Sequence, residues 1–326
     1  MSDTNLKAVT LLVHGRGHPH ANKRLEEAFT IVRLGEDGAA PADRVGDILG
    51  VASMFGGPVG PALMDSLPHL EIISSFGVGY DHVDAKYAAT RGVVVTNTPD
   101  VLTEEVADTA IGLLINTVRE LPKAERWLRE GRWASEGAYR LTPGTLRGRR
   151  VGIFGMGRIG RAIARRIEAF GLPVSYHNRR PVEGVSYTYF DSLVELAANV
   201  DTLISVAPST PQTQKAVNAE ILRALGPTGV FVNIGRGNTV DEAALAAALA
   251  DGTIQGAGLD VFENEPNVPQ ALLDAENASL LPHVGSATIH TRQAMADLVV
   301  DNLIAWFSRG EALSPVPETE HLAKRK

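Results

Sequence analysis

The chain has 326 residues, 44% of them hydrophobic and 21% charged, with a formal net charge of -7. That length suits about two domains, and the composition excludes disorder, collagen-like repeats and disulfide-dense secreted folds. The acidic balance argues against a nucleic-acid protein, which would show a basic face, and the absence of cysteine removes disulfides, thiolate metal sites and thiol nucleophiles and points to a reducing cytoplasmic setting.

The N-terminal stretch MSDTNLKAVT lacks a basic region followed by an apolar core, so no signal peptide is expected. No stretch approaches the roughly 20 apolar residues of a membrane span. Strands are predicted at Ala8–His14, Gly50–Phe55, Leu70–Phe76 and Val93–Thr96, with helical character at Asn22–Phe29. The turn Asn97-Thr98-Pro99-Asp100 precedes one long helical pattern over Thr103–Arg129. A second series starts at Arg150, with strands at Val151–Phe154, Val174–His177, Thr202–Val206, Val230–Ile234, Gly256–Val261 and Ser279–Leu281. Its helices include Ile159–Phe170 and Asp241–Ala250, the latter capped by Asp241 and ended by Gly252. A last helix is predicted over Thr291–Phe307, and the proline-containing tail after Gly310 reads as an irregular extension. Strands separated by helices imply parallel pairing through crossovers, hence an α/β fold class.

Val151-Gly-Ile-Phe-Gly155-Met-Gly157-Arg-Ile-Gly160 fits GxGxxG between a strand and an amphipathic helix, the context a dinucleotide pyrophosphate requires. Gly155 permits the tight turn, Gly157 lets a pyrophosphate approach the backbone, and Gly160 allows close helix–sheet packing. The helix N-terminus adds amides and a positive dipole end. The next strand usually ends in an acid for the ribose 2′-hydroxyl. Here Asn178 stands in that place, followed by Arg179 and Arg180, which can form charge-assisted hydrogen bonds to a 2′-phosphate. NADPH is therefore expected over a weaker NADH, by roughly 1–3 kcal/mol.

Three later strand ends carry polar residues: Arg236 after Val232-Asn-Ile-Gly235, Asp260 to Glu265 before Pro266, and His283 to Ser286 after Leu281-Pro282. In open α/β sheets the ligand crevice lies at such carboxyl ends. An arginine can grip a substrate carboxylate and polarise its keto oxygen. A histidine can donate a proton to that oxygen, and a carboxylate beside it favours the charged imidazolium. Outside this set, a metal site at His14, His18 and His20 in HGRGHPH is disfavoured for want of nearby acids, and a substrate contact there is favoured over it. Arg147-Gly-Arg149-Arg150 reads as a solvated linker, and Trp127 and Trp133 as core or interface packing.

With these blocks in hand the chain resembles the D-isomer-specific 2-hydroxyacid dehydrogenases from Phe76-Gly-Val-Gly-Tyr-Asp81 to the helix after Ser286. The most specific stretches are GMGRIG at 155–160, NIGRGNTVDE at 233–242, GLDVFENEP at 258–266 and LPHVGSAT at 281–288. The resemblance implies Arg236 as the substrate-binding arginine, His283 as the acid/base and Glu265, not Glu263, as its partner. It implies cofactor contacts from Gly155, Met156, Gly157, Arg158, Ile159 and Gly160, from Asn178, Arg179 and Arg180, and from Ala207, Pro208 and Thr213. Ile234, Gly235, Gly285 and Asp260 join them, Asp260 at the nicotinamide carboxamide. Val78 and Gly79 would give backbone donors to the substrate carboxylate, with Ser286 lining the same pocket.

The resemblance also implies two Rossmann-like lobes, flavodoxin-like and dinucleotide-binding, with a cleft between them. The substrate lobe would be 1–99 with 287–326, the NADP lobe 100–286. Within the family the closest likeness is to NADPH-dependent glyoxylate/hydroxypyruvate reductases acting on small 2-keto acids as homodimers. No metal, nucleic acid or membrane partner is expected. Two alternatives stand beside it: a hydroxyphenylpyruvate-type reductase of the same family, and an NAD(P)-sensing corepressor-like binding protein.

Overall fold

The computed structural model describes residues 5–35 and 38–325. In chain order the elements begin with β1 (Thr10–His14), α1 (Pro19–Ala28), β2 (Thr30–Arg33), β3 (Ile48–Ser53), α2 (Pro61–Ser66), β4 (Ile72–Ser75), α3 (Ala85–Thr90) and β5 (Val94–Thr96). Next come α4 (Thr103–Arg119), α5 (Leu121–Arg129), α6 (Arg132–Glu136), β6 (Val151–Phe154), α7 (Arg158–Ala169), β7 (Val174–His177), β8 (Thr188–Phe190), α8 (Leu193–Asn199) and β9 (Thr202–Ser205). Then follow α9 (Ala219–Leu225), β10 (Val230–Asn233), α10 (Glu242–Ala250), β11 (Gly256–Leu259), α11 (Gln270–Leu273), β12 (Ala278–Leu280) and α12 (Ile289–Arg309). Contacts divide the chain into two units, Met1–Leu102 with Thr288–Lys326, and Thr103–Ala287.

The first unit is a five-stranded parallel sheet in the order β2-β1-β3-β4-β5, the flavodoxin-like doubly wound order. A parallel sheet must be covered on both faces, and β1 and β4 are buried at every position. Strand β2 was not foreseen in the sequence. It lies at the sheet edge with one buried residue, Val32, so it carries no continuous apolar run. The segment after Gly310 is not the irregular extension expected. Its Val316 and Thr319 are buried, the Val316 amide donates to the Val95 carbonyl at 2.9 Å, and the Thr319 hydroxyl bonds both the amide and the carbonyl of Val95 at 3.0 and 3.1 Å. A 3-10 turn over Pro317–Leu322 thus serves as a cover for β5.

The second unit is a seven-stranded parallel sheet in the order β12-β11-β10-β9-β6-β7-β8. The order reverses between β6 and β9, the switch point where such sheets bind ligands. The predicted single helix over Thr103–Arg129 is two helices. Pro122 has no amide for the Val118 carbonyl, and the chain breaks at Glu120, which sits in the left-handed region at φ 51°. Asp241 caps α10 as expected, accepting from the Ala244 amide at 3.2 Å.

Arg149 corrects another expectation, since it is 7% exposed rather than solvated. Its guanidinium donates to the carbonyls of Thr145, Asp201 and Thr228 and to the Gln255 side chain at 2.8–3.3 Å. Burial pulls its proton affinity down, and Asp201 partly offsets this. Arg149→Met should therefore leave these carbonyls unpaired and cost roughly 2–4 kcal/mol, read as a lowered thermal midpoint, whereas an unchanged midpoint would contradict the inventory of contacts.

Candidate active site

Strand β6 delivers the glycine turn. Gly155 has φ 106°, and a Cβ there would stand 3.0 Å from the Ala207 amide. A Cβ on Gly160 would lie 2.2 Å from the Gly155 carbonyl oxygen, so both positions demand glycine. At Gly157 an added Cβ meets nothing within 4 Å, and α7 opens there with no side-chain cap. That open approach to a helix N-terminus fits a pyrophosphate. Met156 is buried, while Arg158 and Ile159 form the first turn of α7. Asn178 ties the end of β7 back to the turn, its Oδ1 accepting from the Met156 amide at 2.8 Å. Arg179 and Arg180 follow, both exposed.

Across the switch point, Ala207 is buried and Pro208 exposed. The Pro208 carbonyl accepts from the Thr213 hydroxyl at 2.6 Å. Ile234 is buried, and a Cβ on Gly235 would sit 2.8 Å from the Ala207 carbonyl oxygen. The loops after β9 and β10 therefore touch through backbone.

The loops after β10, β11 and β12 bring Arg236, Glu265 and His283 together. His283 Nδ1 lies 2.7 Å from Glu265 Oε2, and Glu265 Oε1 accepts from the Phe262 amide at 3.0 Å. Burial opposes the charge on Glu265. The hydrogen bonds from His283 and Phe262, with the charges of His283 and Arg236, outweigh it and hold the carboxyl below its ordinary value. The Arg236 guanidinium donates to the Gly235 carbonyl at 2.8 Å, and its own carbonyl accepts from Asn233 and Thr239 side chains at 2.9 and 2.7 Å.

His283 occupies the left-handed region at φ 53°, a conformation that costs energy in a non-glycine residue and persists only where its surroundings impose it. Asp260 imposes it. This carboxylate is 1% exposed, and its oxygens accept the amides of Val284 and Gly285 at 2.7 and 2.8 Å, while its carbonyl accepts the His283 amide at 2.8 Å. Burial raises its proton affinity and those two amides oppose the rise. Gly285 is buried and packs against Asp260 and Ile234, and Ser286 follows, half-buried.

Two residues had no role assigned from sequence. A Cβ on Gly237 would fall 1.8 Å from the Phe262 carbonyl carbon, so this glycine lets the Arg236 loop pack on the Glu265 loop. Glu242, buried at the start of α10, accepts from the Glu263 amide at 2.8 Å. Burial raises it above its usual range. Both belong to the NIGRGNTVDE block, where an acid next to a helix start was the available signal.

In the first unit, Val78 and Gly79 follow β4 in a turn with Gly77 at φ 136°. Their amides donate to no group among the described residues. The three early histidines separate. His14 is buried, His18 stacks on Phe76 at 6.1 Å, and His20 bonds Asp297 at 2.6 Å. Among the described residues no group of three or more His, Asp or Glu could hold a metal, and no helix is long and apolar enough to cross a membrane.

Residues 111–285 match the family model "D-isomer specific 2-hydroxyacid dehydrogenase, NAD binding domain". The chain is similar to a hydroxyphenylpyruvate reductase of Plectranthus scutellarioides, 53% identical over 78% of this chain and 80% of that one. A glyoxylate/hydroxypyruvate reductase A of Arabidopsis thaliana is 51% identical over the same shares. Among solved structures, an NADPH-dependent glyoxylate/hydroxypyruvate reductase of Sinorhizobium meliloti, in complex with NADP and malonate, is 60% identical with a TM-score of 0.93, covering 98% of this chain and 99% of that one. With the glycine turn, the Glu265–His283 pair and Arg236 held on consecutive strand ends, these likenesses are those of a member: the chain belongs to the D-isomer-specific 2-hydroxyacid dehydrogenase family.

Proposed function

We propose that the protein is an NADPH-dependent reductase of small 2-keto acids, converting glyoxylate to glycolate and hydroxypyruvate to D-glycerate. The observation that carries this reading is the 2.7 Å Glu265–His283 pair with Arg236 on the adjoining loop. NADPH, when bound, supplies the hydride that reaches the keto carbon. His283 donates a proton from its ring to the keto oxygen, so the carbonyl becomes a hydroxyl. Glu265 holds the imidazole through Nδ1, which leaves Nε2 for the substrate. Arg236, Ser286 and the amides of Val78 and Gly79 are the groups assigned to the substrate carboxylate. The turn at 155–160 and the segments at 207–213 and 234–235 would hold the cofactor, and Asp260, which fixes the His283 turn, would meet its nicotinamide carboxamide.

The reductase of Sinorhizobium meliloti with NADP supports the cofactor reading, and Arg179 and Arg180 give it a physical basis. The hydroxyphenylpyruvate reductase relative favours a second reading, in which the same machinery takes aromatic keto acids. The substrate-binding role falls to 1–99 with 287–326 and the NADP-binding role to 100–286. A homodimer is part of the proposal, supported by the exposed Leu128, Trp133 and Leu141 of the second unit. A cytoplasmic setting is supported by the absence of cysteine.

Initial rates with NADPH and NADH against glyoxylate, hydroxypyruvate and a phenylpyruvate test this reading. NADPH-dependent turnover of the two small acids is expected. Preference for the aromatic acid selects the second reading, and silence with every acid rejects both. Replacing Arg179 and Arg180 by alanine should raise the KM for NADPH about tenfold and leave that for NADH near its starting value. Equal loss with both cofactors would remove the 2′-phosphate role.

A further inference from the structure

A partly buried chain of hydrogen bonds runs from α12 through the C-terminal tail to the loop after β4. Asn302 is fully buried. Its Oδ1 accepts the amides of Leu313 and Ser314 at 2.9 and 3.0 Å, and its Nδ2 donates to the Ser314 hydroxyl at 2.8 Å. That hydroxyl donates to the Asn97 carbonyl at 2.7 Å, and the Asn97 amide returns a bond to the Ser314 carbonyl at 3.2 Å. Asn97 Nδ2 then reaches the Val78 carbonyl at 2.7 Å. One residue along, the Thr98 amide donates to the Gly77 carbonyl at 2.9 Å, and the Thr98 hydroxyl accepts the Gly77 amide at 3.0 Å.

Peptide planarity gives these contacts a consequence. The Gly77 carbonyl shares a plane with the Val78 amide, and the Val78 carbonyl shares a plane with the Gly79 amide, each pair pointing in opposite directions. Pinning both carbonyls to Asn97 and Thr98 therefore aims both amides the other way. The pinning is needed because Gly77 and Gly79 flank these peptides, and glycine crosses φ space at little cost. Unheld, the 78–79 peptide could flip and turn a carbonyl oxygen toward an anionic ligand. Beyond Gly79, the Tyr80 hydroxyl donates to Glu318 of the tail at 3.0 Å, and burial followed by that carboxylate pushes the phenol up to about 12.

We propose that Asn97, oriented by Ser314 and Asn302, is a positioning residue that aims the Gly79 amide at the substrate carboxylate, beside the Val78 amide that Thr98 aims, so that the C-terminal tail sets substrate affinity. The proposal rests on the reading above that these amides take the carboxylate.

The test measures KM and kcat for glyoxylate with NADPH, the Kd of malonate on the NADPH-bound enzyme, the Kd of NADPH alone, and the thermal midpoint. Asn97→Ala should raise the glyoxylate KM and the malonate Kd about tenfold. Asn97→Asp should raise them further, because it sets a carboxylate against the Val78 carbonyl. In both, the NADPH Kd stays put and kcat moves less than KM. Ser314→Ala should show a smaller rise in the same two quantities, and Ser314→Thr, which keeps the hydroxyl, should restore them. This pair carries the test if the Asn97 variants do not fold. Wild-type glyoxylate KM and malonate Kd in folded variants would overturn the relay. A uniform loss across all constants that tracks the thermal midpoint would overturn it too, as a merely structural effect. A wild-type enzyme that neither reduces glyoxylate nor binds malonate would remove the proposed function itself, and the relay's role with it.

Discussion

His283→Ala should lower kcat for glyoxylate reduction by about 10²–10⁴-fold, the range that general acid catalysis contributes, while NADPH still binds. The expectation follows from the 2.7 Å contact between His283 Nδ1 and Glu265, which fixes the ring and directs its other nitrogen outward. Single-turnover rates at saturating NADPH would read it. An unchanged rate would take the proton donor away from this residue. Glu265 adds a pH signature. Its carboxyl is held below the ordinary value by His283, the Phe262 amide and Arg236 against the opposing effect of burial. The interaction is therefore complete above the usual carboxylate range and is lost only as pH falls through the lowered value. Glu265→Gln deletes the charge, so the alkaline limb of the kcat/KM profile for reduction should move to lower pH. An unmoved limb would assign Glu265 to ring orientation alone.

The elements to which the proposal assigns chemistry were the ones most legible in the sequence. The glycine turn is local, because Gly155 and Gly160 answer to backbone a few residues away or just past the end of a neighbouring strand, and their spacing records it. The Arg236, Glu265 and His283 segments each sit at a strand end with proline or glycine beside them, which marks loops at one edge of a parallel sheet. Elements held by distant partners were not legible. Arg149 looked like one more charge in a basic run, since two of its three carbonyl partners, Asp201 and Thr228, lie more than fifty residues away in the chain. The tail after Gly310 has no apolar periodicity, and its order comes from Thr319 on β5 and Ser314 on Asn97. Strands β2 and β8 are short edge strands whose faces are partly exposed, so neither alternation nor a continuous apolar run announces them.

Gly237 separates two ways of losing the site. Arg236→Ala removes the guanidinium and leaves the backbone in place. It should raise the keto-acid KM sharply and lower kcat/KM, with cofactor affinity and thermal midpoint near wild type. Gly237→Ala keeps Arg236 but drives a methyl carbon onto backbone atoms, 1.8 Å from the Phe262 carbonyl carbon and 2.3 Å from the Glu263 amide nitrogen. No side-chain rotation relieves that overlap, so the loops after β10 and β11 must part. The Phe262 amide that holds Glu265 and the Glu263 amide that holds Glu242 move with the second loop. A misplacement of about 1 Å can cost about 10²-fold, and here Arg236 and the histidine's partner are displaced together. Gly237→Ala should therefore lower kcat/KM by about 10²-fold or more, lower the thermal midpoint and also flatten the dependence of the rate on Glu265. In the Gly237→Ala background, adding Glu265→Gln should cost far less than it does alone, because the two substitutions disturb one unit. Full additivity would show that the two loops act independently and that their close packing serves stability alone.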